Sequence, residues 1–544
     1  MNKTEEYEYT KLKGFSKLFI DYIAGKEFFK SRFPNNDSLY NRTGFLSDIA
    51  SQYPFREKLK GIIDSSMSCL ELSGNQKTNL NSILKSNTLT VCTGQQVGYL
   101  GGPLYTLIKI FSCISLAEEL GNKHSDLNFI PIFWLEDNDH DSHEASHTYC
   151  INKNGNISRY SCIDSTAQTD KIIVAEKKFD DDIKDKIDDF LNDLNSTEFT
   201  QPLRELLHEA YLPGEFWNNA FLKLLQNIAG EKGILFIKAS QIIKSGLCKP
   251  LIIKEIVGKG NSDKLIQSAN ELLSKNNYHI QAKHSPINLF YHEYNIRHKI
   301  SPNEDYSIFR IGEAELTYLE LLELTENHPE RFSPNVLLRP VFQDYILPNA
   351  AYIGGPSEIG YISQTKEIFE YFDVKMAVYL SRHSATIIDR KGARILDQYN
   401  LSPAFFHSDP DDIEFDLLST LKDDQINQKI DTEIDNLKSS LNRISEIALT
   451  YDPNIAQLVS SSGAKLDQIC DTIIKKINTA IKKNNEVQIN RYKYCSNLLY
   501  PMNTLQERII SPLYFVNMYG KDQFIKTLEQ ICSQNRKAHI FVNI

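Results

Sequence analysis

The stretch from Thr88 to Tyr149 constrains this chain most, because a strand, a glycine-rich loop, a helix, a second strand and an acidic/histidine cluster follow one another without interruption. Thr88-Leu89-Thr90-Val91-Cys92 is a short β-branched run, and it is expected to stop at Thr93-Gly94-Gln95-Gln96, where glycine permits angles a strand does not use. The loop continues through Gly98, Gly101 and Gly102 to Pro103. Proline suits a first helical position, since its φ is preset and its missing N–H would have had no partner. Leu104, Leu107, Ile108, Phe111, Ile114, Ala117 and Leu120 recur at three- and four-residue steps, predicting a helix that stops at Gly121-Asn122. Phe129 to Leu135 is nearly all apolar, the pattern of a parallel strand buried on both faces. Glu136, Asp137, Asp139, His140, Asp141, His143, Glu144 and His147 follow directly.

This succession reads as a nucleotide-type βαβ unit. Ligands of open parallel sheets bind beyond the carboxyl ends of the strands, and one right-handed crossover sets the two loops side by side. A loop and helix start that favour an anion would then face a loop able to handle protons or cations. Neither G-x-G-x-x-G nor G-x-x-x-x-G-K-[ST] occurs, so the glycines form no dinucleotide fingerprint or P-loop and could simply serve tight turns. Three roles fit the cluster. His140 could be a general base held by Asp139 or Asp141, or the carboxylates could receive an ammonium group. His140, His143 and His147 could instead ligate a metal, but His143-Glu144-Ala145-Ser146-His147 follows a buried strand and has no evident third ligand. Arg339, Arg310 and Lys109 are the candidate cations for an anionic substrate, arginine because its planar fork holds a carboxylate bidentately.

With 544 residues the chain should form two or three domains. Residues 1–86 read as a helical segment on the core. Residues 87–405 read as an α/β, Rossmann-like parallel-sheet core with helical insertions and connecting segments at about 150–230 and 240–330. Further strands are expected at Gly233 to Ile237, Asn335 to Pro340, Ala351 to Gly354 and Met376 to Leu380. Residues 406–500 read as an antiparallel α-helical coiled-coil arm, and 501–544 as a segment returning to the core. In the arm, Ile426, Ile430, Ile434, Leu437, Leu441, Ile444 and Ala448 are spaced 4, 4, 3, 4, 3 and 4. Leu466, Ile469, Ile473, Ile477, Ala480 and Val487 form a second run, after a turn at Asp452-Pro453-Asn454. Two helices alone would half cover such a stripe, so a homodimer through the coiled coil is expected.

A net charge of −10, from 60 basic and 70 acidic residues, argues against a nucleic-acid-binding surface. No apolar run reaches the length of a membrane span and the first residues lack the apolar core of a signal peptide, so a cytoplasmic location and no membrane partner are expected. The nine cysteines lie scattered without a CxxC pair and read as reduced thiols.

Thr93-Gly94-Gln95-Gln96, Gly101-Gly102-Pro103-Leu104-Tyr105-Thr106 with Lys109, Phe133-Trp134, Asp137 and Asp139-His140-Asp141 together resemble the bacillithiol biosynthesis cysteine-adding BshC family. A second block agrees: Leu338-Arg339-Pro340, Gln343-Asp344-Tyr345, Leu347-Pro348, Ala351-Tyr352-Ile353-Gly354-Gly355-Pro356 and Glu358-Ile359. The ending, Leu505-Gln506-Glu507-Arg508 and Tyr519-Gly520, agrees as well. Lys238, where an acidic residue is expected, and Arg382-His383-Ser384, where a proline should precede the serine, depart from the family pattern.

The resemblance implies a ligase that joins the carboxyl of L-cysteine to the amine of glucosaminyl-malate, the last step of the pathway. A carboxylate does not acylate an amine unaided, so the cysteinyl carboxyl must be activated; ATP or another nucleotide is open as the cofactor, and no metal is firmly implied. Carried onto the matching motifs, catalysis is expected at His140, Asp137, Asp139 and Asp141. Substrate contacts are expected at Thr93, Gly94, Gln95, Gln96, Gly101, Gly102, Trp134, Arg339, Gln343, Asp344, Gly354, Gly355, Glu358, Arg382 and Ser384. A nucleotide-binding sensor, a coiled-coil scaffold and a metal-dependent hydrolase using residues 137–147 stay open as alternatives.

Overall fold

A computed structural model describes residues 4–41, 43–163, 172–408, 424–450 and 455–544. The turn expected at Asp452-Pro453-Asn454 lies outside the described residues. The chain divides into two compact units, one of Met1–Asp389 with Thr504–Ile544 and one of Arg390–Asn503.

In chain order the strands of the first unit are β1 (Thr4–Glu8), β2 (Thr88–Gln96), β3 (Asn128–Glu136), β4 (His147–Ile151), β5 (Ile157–Ser161) and β6 (Leu235–Lys238). They continue as β7 (Leu289–Glu293), β8 (Ile296–Pro302), β9 (Ile308–Ile311), β10 (Ala314–Thr317) and β11 (Phe332–Pro334). The last are β12 (Asn349–Gly354), β13 (Val378–Ser381), β14 (Ser384–Ile388) and β15 (Ala538–Asn543). The central sheet has the order β13-β12-β2-β3-β6 and every neighbouring pair is parallel. Read from β6, its strands run third, second, first, fourth and fifth along the chain, the doubly wound order, with the switch point between β2 and β12. The unbroken apolar runs follow from cover on both faces. On one face Leu89, Val91, Ile353 and Val378 pack with Leu116, Ala117 and Leu120 of the helix Tyr105–Lys123 and with Leu46 and Ala50.

The structure corrects several local expectations. Gly94 does not end β2: the strand runs to Gln96, with Gly94 beside Trp134 and Gln96 beside Glu136. Glycine is needed at 94 for space, since a Cβ would lie 3.0 Å from the Trp134 carbonyl and 3.4 Å from the Tyr352 hydroxyl. Pro103 is not the first helical residue. Gly101 and Gly102 take positive φ in a tight turn, Leu104 N donates to Ile510 O, and the helix begins at Tyr105. It also runs through Gly121-Asn122 to Lys123. Residues 335–340 are not a strand. The Asn335 side chain accepts hydrogen bonds from Leu337 N and Leu338 N, a local turn that leads into the helix Arg339–Ile346. The N-terminal segment is not wholly helical, because β1 pairs antiparallel with β15, which lies between β1 and β14. Within 240–330 and just beyond, β10-β9-β8-β7-β11 form a separate antiparallel sheet.

In the second unit, the helices Asp424–Leu449 and Ile455–Asn484 pack antiparallel, with Lys438 Nζ 2.9 Å from Asp467 Oδ1 and Gly463 beside Leu441. The seam is narrower than the heptad spacing suggests. Leu437, Ile444, Ile469 and Ile473, all expected in it, are 54%, 60%, 57% and 49% exposed. All nine cysteines are free and all but Cys69 are buried. Among the described residues, no helix is long and apolar enough to cross a membrane.

Candidate functional site

A cavity of about 720 Å³ opens beyond the carboxyl ends of β2, β3 and β12. Gly94, Trp134 and Tyr352 line it from adjacent strands, and the missing side chain at 94 leaves room between the two rings. Gln95, Gln96, Glu136, Asp139 and His140 contribute from the ends of β2 and β3. Phe290 and Arg297 contribute from the antiparallel sheet, and Arg339, Glu358 and Tyr361 from the helices Arg339–Ile346 and Pro356–Ile362.

The long helix after β2 sends a buried cation to this floor. Lys109 Nζ donates to Gly94 O at 2.8 Å and to Gln95 Oε1 at 3.1 Å, and it pairs with Glu358. Glu358 also accepts from Tyr352 Oη at 2.6 Å and from Gly355 N at 2.7 Å. Burial alone would raise the Glu358 carboxyl, but the Lys109 charge and these donors hold it below the usual range; burial lowers Lys109 itself.

Two arginines also line the cavity. Arg339 donates to Gln343 Oε1 at 3.0 Å and to Tyr361 Oη at 2.7 Å, and its guanidinium stands 5.8 Å from the centre of the Tyr352 ring. Arg297 reaches Asp139 Oδ1 at 3.3 Å and Pro334 O at 2.9 Å, lies 3.9 Å over the Phe290 ring, and keeps a buried Nε without a partner among the described residues. Burial lowers its pKa, opposed by Asp139 and Glu136. Asp139 further accepts from Gln96 Nε2 at 2.9 Å and from His140 N at 2.7 Å, while His140 Nδ1 stands 3.3 Å from its Oδ1. The two loops predicted to lie side by side thus touch through Gln96 and Asp139.

Of the residues expected from the sequence, Gly94, Gln95, Gln96, Trp134, Asp139, His140, Arg339 and Glu358 line the cavity. The others lie outside its lining. Asp137 is buried, accepting from Ser240 N at 2.9 Å, Ser240 Oγ at 2.7 Å and Asn218 Nδ2 at 2.9 Å. Asp141 caps the short helix Ser142–Ala145 through Glu144 N at 3.0 Å. Thr93 donates to Ile353 O, and Gly101 packs against Leu224 and Pro512, so the glycine turn at 101–102 lies under the chain near 510. Gln343 braces Arg339, and Asp344 holds Asn349 and Ala377 N, its buried carboxyl raised to about 6. Gly354 O accepts from Arg382 N, and Gly355 N is taken by Glu358. Arg382 and Ser384 both bind the buried Glu507, at 2.6 and 2.9 Å, and Ser384 also meets His539 Nδ1 at 2.8 Å. Arg310 is exposed and pairs with Glu315. The helix expected to carry His143 and His147 on one face ends at Ala145, and His147 opens β4. Among the described residues, no group of three or more His, Cys, Asp and Glu side chains could hold a metal ion.

Sequence reasoning missed Glu136, Arg297, Tyr352 and Tyr361 as cavity residues. Tyr352 belongs to the motif Ala351-Tyr352-Ile353-Gly354-Gly355-Pro356 and Glu136 to the acidic run, but Arg297 arrives from another sheet with no local signal. A second cavity, of about 990 Å³, lies between the N-terminal helices and the C-terminal segment, with Tyr22, Phe33 and Arg536 in its lining and no expected site residue.

Residues 3–383 match the family described as bacillithiol biosynthesis BshC, N-terminal Rossmann-like domain, and residues 385–544 match its C-terminal coiled-coil domain. A Chlorobaculum tepidum protein named "Putative cysteine ligase BshC" is 28% identical, over 98% of this chain and 98% of its own length. Proteins of the same name from Flavobacterium johnsoniae and Staphylococcus epidermidis are each 29% identical, covering 91% and 86% of this chain and 91% and 87% of their own. With both family domains matched in order across nearly its whole length, the chain belongs to the bacillithiol biosynthesis BshC family.

Proposed function

We propose that the protein is the cysteine ligase of this pathway, forming the amide between the carboxyl of L-cysteine and the amine of glucosaminyl-malate. The observation that carries the reading is the charge arrangement of the cavity at the switch-point end of the sheet. Arg297 and Arg339 line it together with Glu136 and Asp139, so both signs of charge are present, which suits a substrate bearing both carboxylates and an ammonium. In this reading the arginines hold the malate carboxylates, and the end of β3 with the loop that carries His140 handles the amine and its proton. Asp137 and Asp141 shape that loop from behind. The cysteinyl carboxyl must arrive activated, which ATP or another nucleotide would supply. The test is thermal unfolding with single ligands: stabilisation by glucosaminyl-malate supports the ligase, whereas stabilisation by a divalent metal alone or a nucleotide alone would favour the hydrolase or the sensor.

The second unit is assigned to self-association. Leu437, Ile444, Ile447, Leu458, Ile469 and Ile473 are each about half exposed or more along the paired helices, a stripe that an equivalent surface of a second copy would cover.

A further inference from the structure

We propose that Glu136, at the end of β3, is the carboxylate that receives the ammonium of the amine substrate and takes its proton. The inference rests on the ligase reading and names a group which that reading leaves open.

Three carboxylates line the cavity, and two are already engaged. Glu358 is held by Lys109, Tyr352 and Gly355 N. Asp139 is held by Gln96, Arg297 and His140 N. Glu136 accepts one hydrogen bond among the described residues, from Trp134 Nε1 at 3.2 Å to Oε2, which leaves Oε1 open to the cavity. It is also the best fixed of the candidates, since it closes a ladder in which Gln96 stands beside it, whereas His140 lies on the following loop, half exposed. Strand ends position reacting groups more firmly than loops do.

The surroundings supply both halves of the requirement. Arg297 from β8, Arg339 from the helix Arg339–Ile346 and Tyr361 from the helix Pro356–Ile362 act electrostatically on Glu136, as does the buried Asp137 next to it in sequence, and Asp139 lines the same cavity. Burial pushes the Glu136 carboxyl above the usual carboxylate range despite the two arginines. A carboxylate so placed is a better proton acceptor than a solvated one. The step balances simply: R–NH3+ gives one proton to the carboxylate, leaving R–NH2 with a free lone pair and Glu136 as the neutral acid, which returns the proton to solvent through the cavity mouth. Anchored by its carboxylates on the arginines, the substrate would present its ammonium to the one carboxylate with an open oxygen.

The test is binding of glucosaminyl-malate and of its N-acetyl derivative to the full chain by calorimetry, for wild type, Glu136→Gln and Glu136→Asp. Wild type should prefer the free amine roughly tenfold or more, because a charge-assisted hydrogen bond is lost on acetylation. Glu136→Gln should bind the N-acetyl compound as wild type does and lose the preference, with Glu136→Asp regaining part of it. A Glu136→Gln protein that keeps the full preference would show that the ammonium lies elsewhere and overturn the proposal, as would a wild type that shows no preference. If the preference behaves as expected but cysteine is never joined to the bound amine, the ligase reading fails and the ammonium site stands.

Discussion

Arg297 Nη1 lies 3.3 Å from Asp139 Oδ1, so the antiparallel sheet and the loop after β3 meet across one ion pair at the edge of the cavity. The guanidinium is also stacked on Phe290 and tied to Pro334 O, which fixes its plane. Lysine cannot reproduce that fork. Arg297→Lys is predicted to weaken glucosaminyl-malate binding by about 1.5–3 kcal/mol, the worth of hydrogen bonds to a charged group, with only a small change in melting temperature. Calorimetry decides this, and unchanged affinity would remove Arg297 from the anion site.

Asp137 and His140 should separate stability from activity. Asp137→Ala strands Ser240 N, Ser240 Oγ and Asn218 in the interior, a predicted loss of roughly 2–4 kcal/mol of stability. His140→Ala, on a half-exposed side chain, should leave the melting temperature within a few degrees while turnover falls. Thermal unfolding of both variants checks the pair; equal melting temperatures would contradict it.

That contrast also shows what the sequence could reveal. The β2-helix-β3 unit was legible because Leu89 to Cys92 and Phe129 to Leu135 have the unbroken apolar run that only a doubly covered parallel strand needs. Asp137 and Asp139 looked alike in sequence, yet chain direction at a strand end sends one inward to Ser240 and the other to Arg297. No local pattern records that choice. Arg382 and Ser384 are likewise expected at the site although their segment departs from the family pattern, and the buried Glu507, far along the chain, binds both. In the arm, heptad spacing placed Leu437 and Ile444 in one seam, but two helices present too little surface to bury the whole stripe.

Acid should destabilise the first unit. His292 and His383 are lowered to about 3 and His539 to about 4, each mainly by burial. The unfolded chain takes up these protons near pH 6.5 and the folded chain does not, so their stability is present above 6.5 and lost as pH falls below it, at about 1.4 kcal/mol per pH unit for each group. Asp344, raised to about 6, works in the opposite direction, adding stability as pH falls from about 6 toward 3.8, as do Glu136, Glu144 and Glu255, each raised chiefly by burial. The buried carboxylates Glu358 and Glu507, held below the usual range by Lys109 and Arg382, act with the three histidines, and together these set the direction. Melting temperatures at pH 7.5, 6 and 5 should fall in that order, and level or rising values would contradict the assignment.

The exposed apolar stripe predicts a dimer at micromolar concentration. Leu437→Glu with Ile444→Glu should shift it toward monomer by placing charge in the covered face, with the melting temperature of the first unit little changed. Multi-angle light scattering measures this directly, and a monomeric wild type would refute it.

Thiol profiling of a deletion strain by mass spectrometry measures the ligase reaction in the cell. The deletion strain should accumulate glucosaminyl-malate and lack bacillithiol, with restoration by the wild-type chain but little by His140→Ala or Arg339→Lys. Normal bacillithiol in the deletion strain would contradict it.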